Sequence, residues 1–140
     1  MKIKYEEYND LAILLLRIGV GLVFVLAGWG KLNGIEGTQG FFADISIPLP
    51  GLMAWVVALV EFVGGLMILS GTYIRVPAPL LAVIMVVAIL TVKMSQGFGA
   101  ARIDLLLLLM SSALFITGSG KYSVDEKLLN KDKKKEPVAA

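Results

Sequence analysis

The chain has 140 residues, enough for one domain, and 57% of them are hydrophobic, with a mean hydropathy of +0.81. A soluble fold this small could not hide so much apolar surface, so a membrane protein is the economical reading. A net charge of +2 without a basic face argues against a nucleic-acid partner. The absence of Cys and His excludes thiol–disulfide exchange, thiolate-bound iron–sulfur clusters, His-ligated haem and the usual zinc, copper and non-haem iron ligands.

Crossing the hydrocarbon takes about 20 apolar residues as a helix. Four runs qualify, at about 11–32, 52–69, 77–94 and 101–117. They predict an all-α membrane fold, a four-transmembrane-helix bundle over residues 1–120, followed by a charged and flexible cytoplasmic tail at 121–140. The first run is too long for a signal peptide and no small-x-small cleavage site follows it. It carries Arg17, and it ends at Trp29 and Lys31.

The connection over 33–50, NGIEGTQGFFADISIPLP, is the longest between spans. Its glycines permit tight turns, and Phe41 and Phe42 could dip into the interface or cover the bundle. A short surface or re-entrant helix ending at Pro48–Pro50 is expected, as a lid or as a plain connector. The second run, AWVVALVEFVGGLMIL, holds Glu61 near its middle. If the two spans end flush on one side, Arg17 and Glu61 differ in depth by only ~4–5 Å of helix rise, within reach of an arginine. An isolated charge at a helix centre costs about 2.5–3.5 kcal/mol on insertion scales. A bidentate Arg17–Glu61 pair would recover much of that. The alternative is that Arg17 snorkels to the surface and Glu61 stays protonated. Gly64 and Gly65, with Gly19 and Gly21 on the first span, let helices approach closely or leave a ligand slot.

Pro77 and Pro79 fall in the opening turn of the third run, where a missing N–H costs least. Lys93 ends that run, and Asp104 lies in the first turn of the fourth, where the helix dipole favours an acid. Lys31, Lys93 and Asp104 at one depth on three helices make a polar mouth, unless the lysines merely snorkel. Ser111 and Ser112 either hydrogen-bond between helices or back-bond to their own helix.

Lys2, Lys4, Arg75, Lys121, Lys127 and the lysines at 131 and 133–135 gather on one side of the spans. Lys31, Lys93 and Arg102 fall on the other. The positive-inside rule then places both termini in the cytoplasm of a multi-pass plasma-membrane protein. Trp29 and Trp55 mark the outer interface, Tyr73 and Tyr122 the inner. The lysine-rich tail is a topology determinant, or a site for anionic lipid or a partner at about 1 kcal/mol per Lys. Without an internal repeat, an inverted-repeat transporter is disfavoured.

Three pieces in order carry a family resemblance: Arg17 followed by IGVGLVFVLAGWGKL, then EFVGGLMILSGTYIRVPA over 61–78, and GSGKYSVD over 118–125. Over residues 11–125 the chain resembles the DoxX family of small four-helix membrane proteins. That family is related to the DoxD membrane subunit of a thiosulfate:quinone oxidoreductase, to bacterial membrane redox complexes and to maturation proteins. The charged positions that match are Arg17, Lys31, Glu61, Arg75 and Asp125. The resemblance implies a small subunit of, or accessory to, a quinone-linked membrane oxidoreductase. In that role Glu61 and Arg17 would be the catalytic pair, and Lys31, Trp29, Gly64, Gly65, Lys93 and Asp104 would take the quinone. With no metal ligand on the chain, electrons would come from a redox partner protein; a homo-oligomer is also open. The alternative is a non-enzymatic scaffold or maturation factor, in which the Arg17–Glu61 pair only fixes helix register.

Overall fold

The computed structural model describes residues 5–93, 98–120, 122–124 and 127. Helices account for nearly all of these residues, and no strand occurs among them. Helix α1 runs over Tyr5–Asn33, α2 over Ile35–Asp44, α3 over Pro50–Ser70 and α4 over Pro77–Ala88. A π-helical turn, Ile89–Lys93, continues α4, and α5 occupies Phe98–Thr117. The helix in the long connection therefore forms as expected but stops at Asp44, short of Pro48.

Proline and glycine set the boundaries of α3. Pro50 stands in its first turn, where the lost N–H has no helical partner anyway. At the other end Gly71 takes φ +74, and the Gly71 and Thr72 N–H groups close back on Ile68 O and Met67 O. This Schellman arrangement favours glycine because a Cβ clashes in the left-handed region.

Glycines also fix how closely the helices pack. A Cβ at Gly28 would lie 2.4 Å from Phe62 N, and one at Gly65 would lie 2.7 Å from Val25 N. Backbone thus meets backbone along an antiparallel α1–α3 seam, the close approach that small residues permit in lipid. Gly64, on the adjoining face of α3, receives Pro77 and Leu81 of α4. Helix α5 lies against α4 and α1, and α2 rests on α3, where Gln39 Nε2 donates to Gly51 O at 3.1 Å. The core is Val20, Phe24, Ile68, Ile74, Leu81, Met85, Leu107 and Leu114.

The outside is apolar as well. Leu15, Leu22, Leu26, Leu59, Val63, Leu66, Val83, Leu106 and Leu109 are all exposed. Helices that are hydrophobic all round, in a bundle this thin, fit a hydrocarbon solvent. Helix α1 from Tyr8 (mean hydropathy 2.5 in its most apolar window) and α3 (2.3) are long and apolar enough to cross a membrane. The apolar stretch Pro77–Thr91 is shorter.

Candidate functional site

Arg17 is buried, only 2% exposed, and four of its hydrogen bonds go to backbone carbonyls. Its Nε donates to Ile68 O and one terminal nitrogen to Leu69 O, both at 3.0 Å. The other terminal nitrogen donates to Ser119 O at 2.9 Å and Tyr122 O at 2.6 Å. These carbonyls belong to the end of α3 and to the chain just beyond α5, where helical partners run out. The C-terminal end of a helix carries partial negative charge, so a cation is favoured there. Gly71 lets the guanidinium in: a Cβ at that position would lie 3.0 Å from Arg17 Cζ and 2.5 Å from Ser123 Cβ. Ser123 Oγ donates to Gly120 O at 2.8 Å, tightening the same turn.

The expected Arg17–Glu61 pair is not formed, nor does Arg17 snorkel to the surface. The α1–α3 seam sets Gly28 beside Phe62 and Arg17 beside Leu69. Along α3, Leu69 and Glu61 are about eight residues apart, ~12 Å at helical rise. The spans do not end flush; α1 begins twelve residues before Arg17 and so runs more than three turns past the end of α3, which removes the assumed match in depth.

Glu61 pairs instead with Lys31, whose Nζ lies 2.7 Å from Oε2. The carboxylate side chain is 3% exposed and the lysine side chain 30%. Asp104 of α5 lies close enough for its charge to act on Glu61. Lys31, near the end of α1, thus meets Glu61 near the middle of α3, the twelfth of its 21 residues. Lys93 ends the π-turn, but its side chain lies outside the described residues. So do Asp125, Lys2, Lys4, Lys121 and the tail lysines.

Trp29 departs from the expected arrangement. Two residues from Lys31 on a helix, it projects about 200° away around the axis. Its ring is 55% exposed and sits 5.8 Å from that of Phe62, on the outside of the seam. Gly64 packs against α4 and Gly65 against α1, and Gly64 also lines an open groove between α3 and α4. Arg75 is exposed, with its guanidinium close to Gly118. Phe42 is buried while Phe41 stays 43% exposed, so α2 covers the end of α3 with one of its two phenylalanines. Ser112 Oγ back-bonds to Leu108 O at 2.8 Å, whereas Ser111 Oγ is buried without a hydrogen-bond partner.

The pattern of charges alone does not point to Ser119 and Tyr122 as partners of Arg17. The signal was there in GSGKYS: Gly118 and Gly120 both take positive φ and turn their neighbours' carbonyls inward. An apolar groove of about 250 Å³ lies between α3 and α4, lined by residues that include Leu59, Val63, Met67 and Leu80. It does not include Glu61 or Lys31.

An all-helical chain, apolar inside and out, with charges answered by partners inside the bundle, is an integral membrane protein. The family model described as DoxX matches residues 12–94, and the chain belongs to the DoxX family. It is 41% identical over 117 residues to "Putative oxidoreductase CatD" of Bacillus subtilis (strain 168), covering 83% of this chain and 86% of that one. It is 35% identical over 133 residues to "Inner membrane protein YqjF" of Escherichia coli (strain K12), covering 90% and 98%. No solved structure matches.

Proposed function

We propose that the chain is a small membrane subunit of, or accessory to, a quinone-linked oxidoreductase. In this reading it crosses the membrane four times with both termini in the cytoplasm, and a partner protein delivers the electrons. The observation that carries it is the Lys31–Glu61 ion pair, a buried carboxylate inside an apolar bundle, with Asp104 beside it. Ionisable groups in a membrane segment mark functional sites more often than structural ones. The relative whose name includes oxidoreductase agrees with the reading.

The donor set fits a quinone head group. Lys31 has an ammonium with N–H groups beyond the one given to Glu61, and these can hold a carbonyl oxygen. Glu61, withdrawn behind the lysine, can accept or release a proton there. A bound quinone would supply two-electron, two-proton carrier chemistry. Arg17 does not enter the site; its guanidinium closes the C-terminal end of α3. The test is quinone-analogue binding by the purified chain, together with quinone reduction by membranes carrying Glu61→Gln. Absence of binding and unchanged reduction would dispose of the proposal.

A scaffold role is favoured by a different observation. Arg17 is met by carbonyls and Lys31 by a carboxylate, which is what a bundle needs simply to hold its register. Replacing Lys31 and Glu61 together by Met and Gln while retaining function in the cell would select that reading.

A further inference from the structure

We infer that the groove between α3 and α4 holds one acyl chain of an anionic phospholipid, and that Arg75 holds the phosphate of the same lipid. This site stands apart from the quinone reading and does not depend on it. The groove, about 250 Å³, is lined by Leu59, Val63 and Met67 of α3 and by Val76, Pro77 and Leu80 of α4, with Gly64 between them. A Cβ at Gly64 would lie 3.2 Å from Pro77 Cβ, so glycine lets the first turn of α4 come this close. Leu59, Val63, Val76 and Leu80 are each about half exposed, so the groove opens outward to lipid. From Leu59 to Met67 it runs ~12 Å at helical rise, a little less than the ~15 Å of one hydrocarbon leaflet. A partner helix, ~10–12 Å across with its side chains, is too wide for this volume, whereas a single hydrocarbon chain is not.

The foot of the groove is polar. Ser70 follows Val63 by about two turns and so lies on the same face of α3. Its hydroxyl and that of Thr72 are exposed and 2.9 Å apart. Arg75 immediately precedes Val76 and Pro77, and its exposed guanidinium reaches past the first turn of α4 to Gly118. Among the described residues it pairs with no carboxylate. A guanidinium at a membrane surface takes a phosphate through two parallel N–H···O bonds. Because no described acid balances Arg75, the lipid supplies the missing charge. A zwitterionic head group sets its own cation beside the phosphate; an anionic one does not.

The experiment titrates the full chain in detergent with dioleoyl phosphatidylglycerol or dioleoyl phosphatidylcholine and reads bound lipid by native mass spectrometry. The first phosphatidylglycerol should bind about fivefold tighter than phosphatidylcholine, the ~1 kcal/mol that one arginine contributes toward an anionic lipid. Arg75→Gln should erase that preference. Lys127→Gln, which removes another exposed cation beyond α5, should keep it. Val63→Phe puts a ring into the groove from an exposed position and should weaken phosphatidylglycerol by a similar factor. If that variant does not fold, Leu80→Phe takes its place with the same expectation. Wild type without a lipid preference, a preference that survives Arg75→Gln, or an equal loss in Lys127→Gln overturns the site. Unchanged binding by the groove-filling variant overturns the groove as the seat of the chain. Displacement of the lipid by excess sn-glycerol 3-phosphate, a phosphate without acyl chains, overturns the lipid as the ligand.

Discussion

Replacing Arg17 by Met is the sharpest test of how the bundle holds itself together. The side chain keeps its length and apolar stem but loses hydrogen bonds to Ile68 O, Leu69 O, Ser119 O and Tyr122 O. A hydrogen bond from a charged donor contributes about 1.5–3 kcal/mol, so the simple total would reach about 6–12 kcal/mol. Part of this is recovered: Ile68 O also accepts from Gly71 N–H, and loop carbonyls near the bundle end can find water. Removing the charge also removes its desolvation cost. The net expectation is a loss of about 3–5 kcal/mol, the range for breaking buried charged networks. Reversible unfolding in mixed SDS micelles measures it. Arg17→Lys should recover less than half, because a compact ammonium cannot span both carbonyl pairs. Trypsin cleavage at Lys121 and Lys127 should accelerate in Arg17→Met, since the chain beyond α5 loses its tether. An unchanged unfolding midpoint and unchanged cleavage would refute the carbonyl-cage account.

Three further outcomes follow from the packing and the charges. Gly28→Ala puts a Cβ 2.4 Å from Phe62 N, whereas Gly30→Ala meets nothing within 4 Å. The first should destabilise by about 2 kcal/mol or more and the second by almost nothing, read from the same unfolding curves. Ser111→Ala removes a buried hydroxyl that has no partner, so stability should hold or rise by about 1 kcal/mol, in contrast to most changes at fully buried sites. A fluorescent-protein fusion at the C-terminus should light up, and a periplasmic alkaline-phosphatase fusion there should stay inactive. The reverse pattern would put Lys31 on the cytoplasmic side and refute the proposed orientation.

The long apolar runs were legible because hydropathy alone defines them: the runs at 11–32 and 52–69 lie within α1 and α3 with only a few residues to spare. Relative depth was not legible. Sliding one apolar helix past another by two turns leaves each hydropathy profile unchanged, yet it moves Arg17 from Glu61 to Leu69. The glycines held the missing information. Gly21 and Gly28 are seven residues apart, so they share a face of α1, and both pack on α3. Had that face been matched to Gly65, the register would have followed, and with it the pairing of Lys31 with Glu61. The π-turn could not be read at all, since nothing in ILTVK distinguishes it from continued α-helix.

An arginine in a span invites a search for a carboxylate, but the physical need can lie with the backbone. A helix end in hydrocarbon leaves carbonyls without partners, each costly where water is absent. Here two such ends converge, the last turn of α3 and the turn after α5, and one planar guanidinium serves both. A carboxylate in that place could only accept hydrogen bonds and would leave every one of those carbonyls unmet. Because the carbonyls take Arg17, Glu61 is left to Lys31, and the seam between α1 and α3 is held by charge at both ends with glycine contacts between them. The two contacts differ in what they leave over. Arg17 is enclosed by backbone, while the Lys31 side chain stays 30% exposed above a buried carboxylate. On the proposed reading the chemistry falls to Lys31 and Glu61, and the Arg17 cage holds the frame around them.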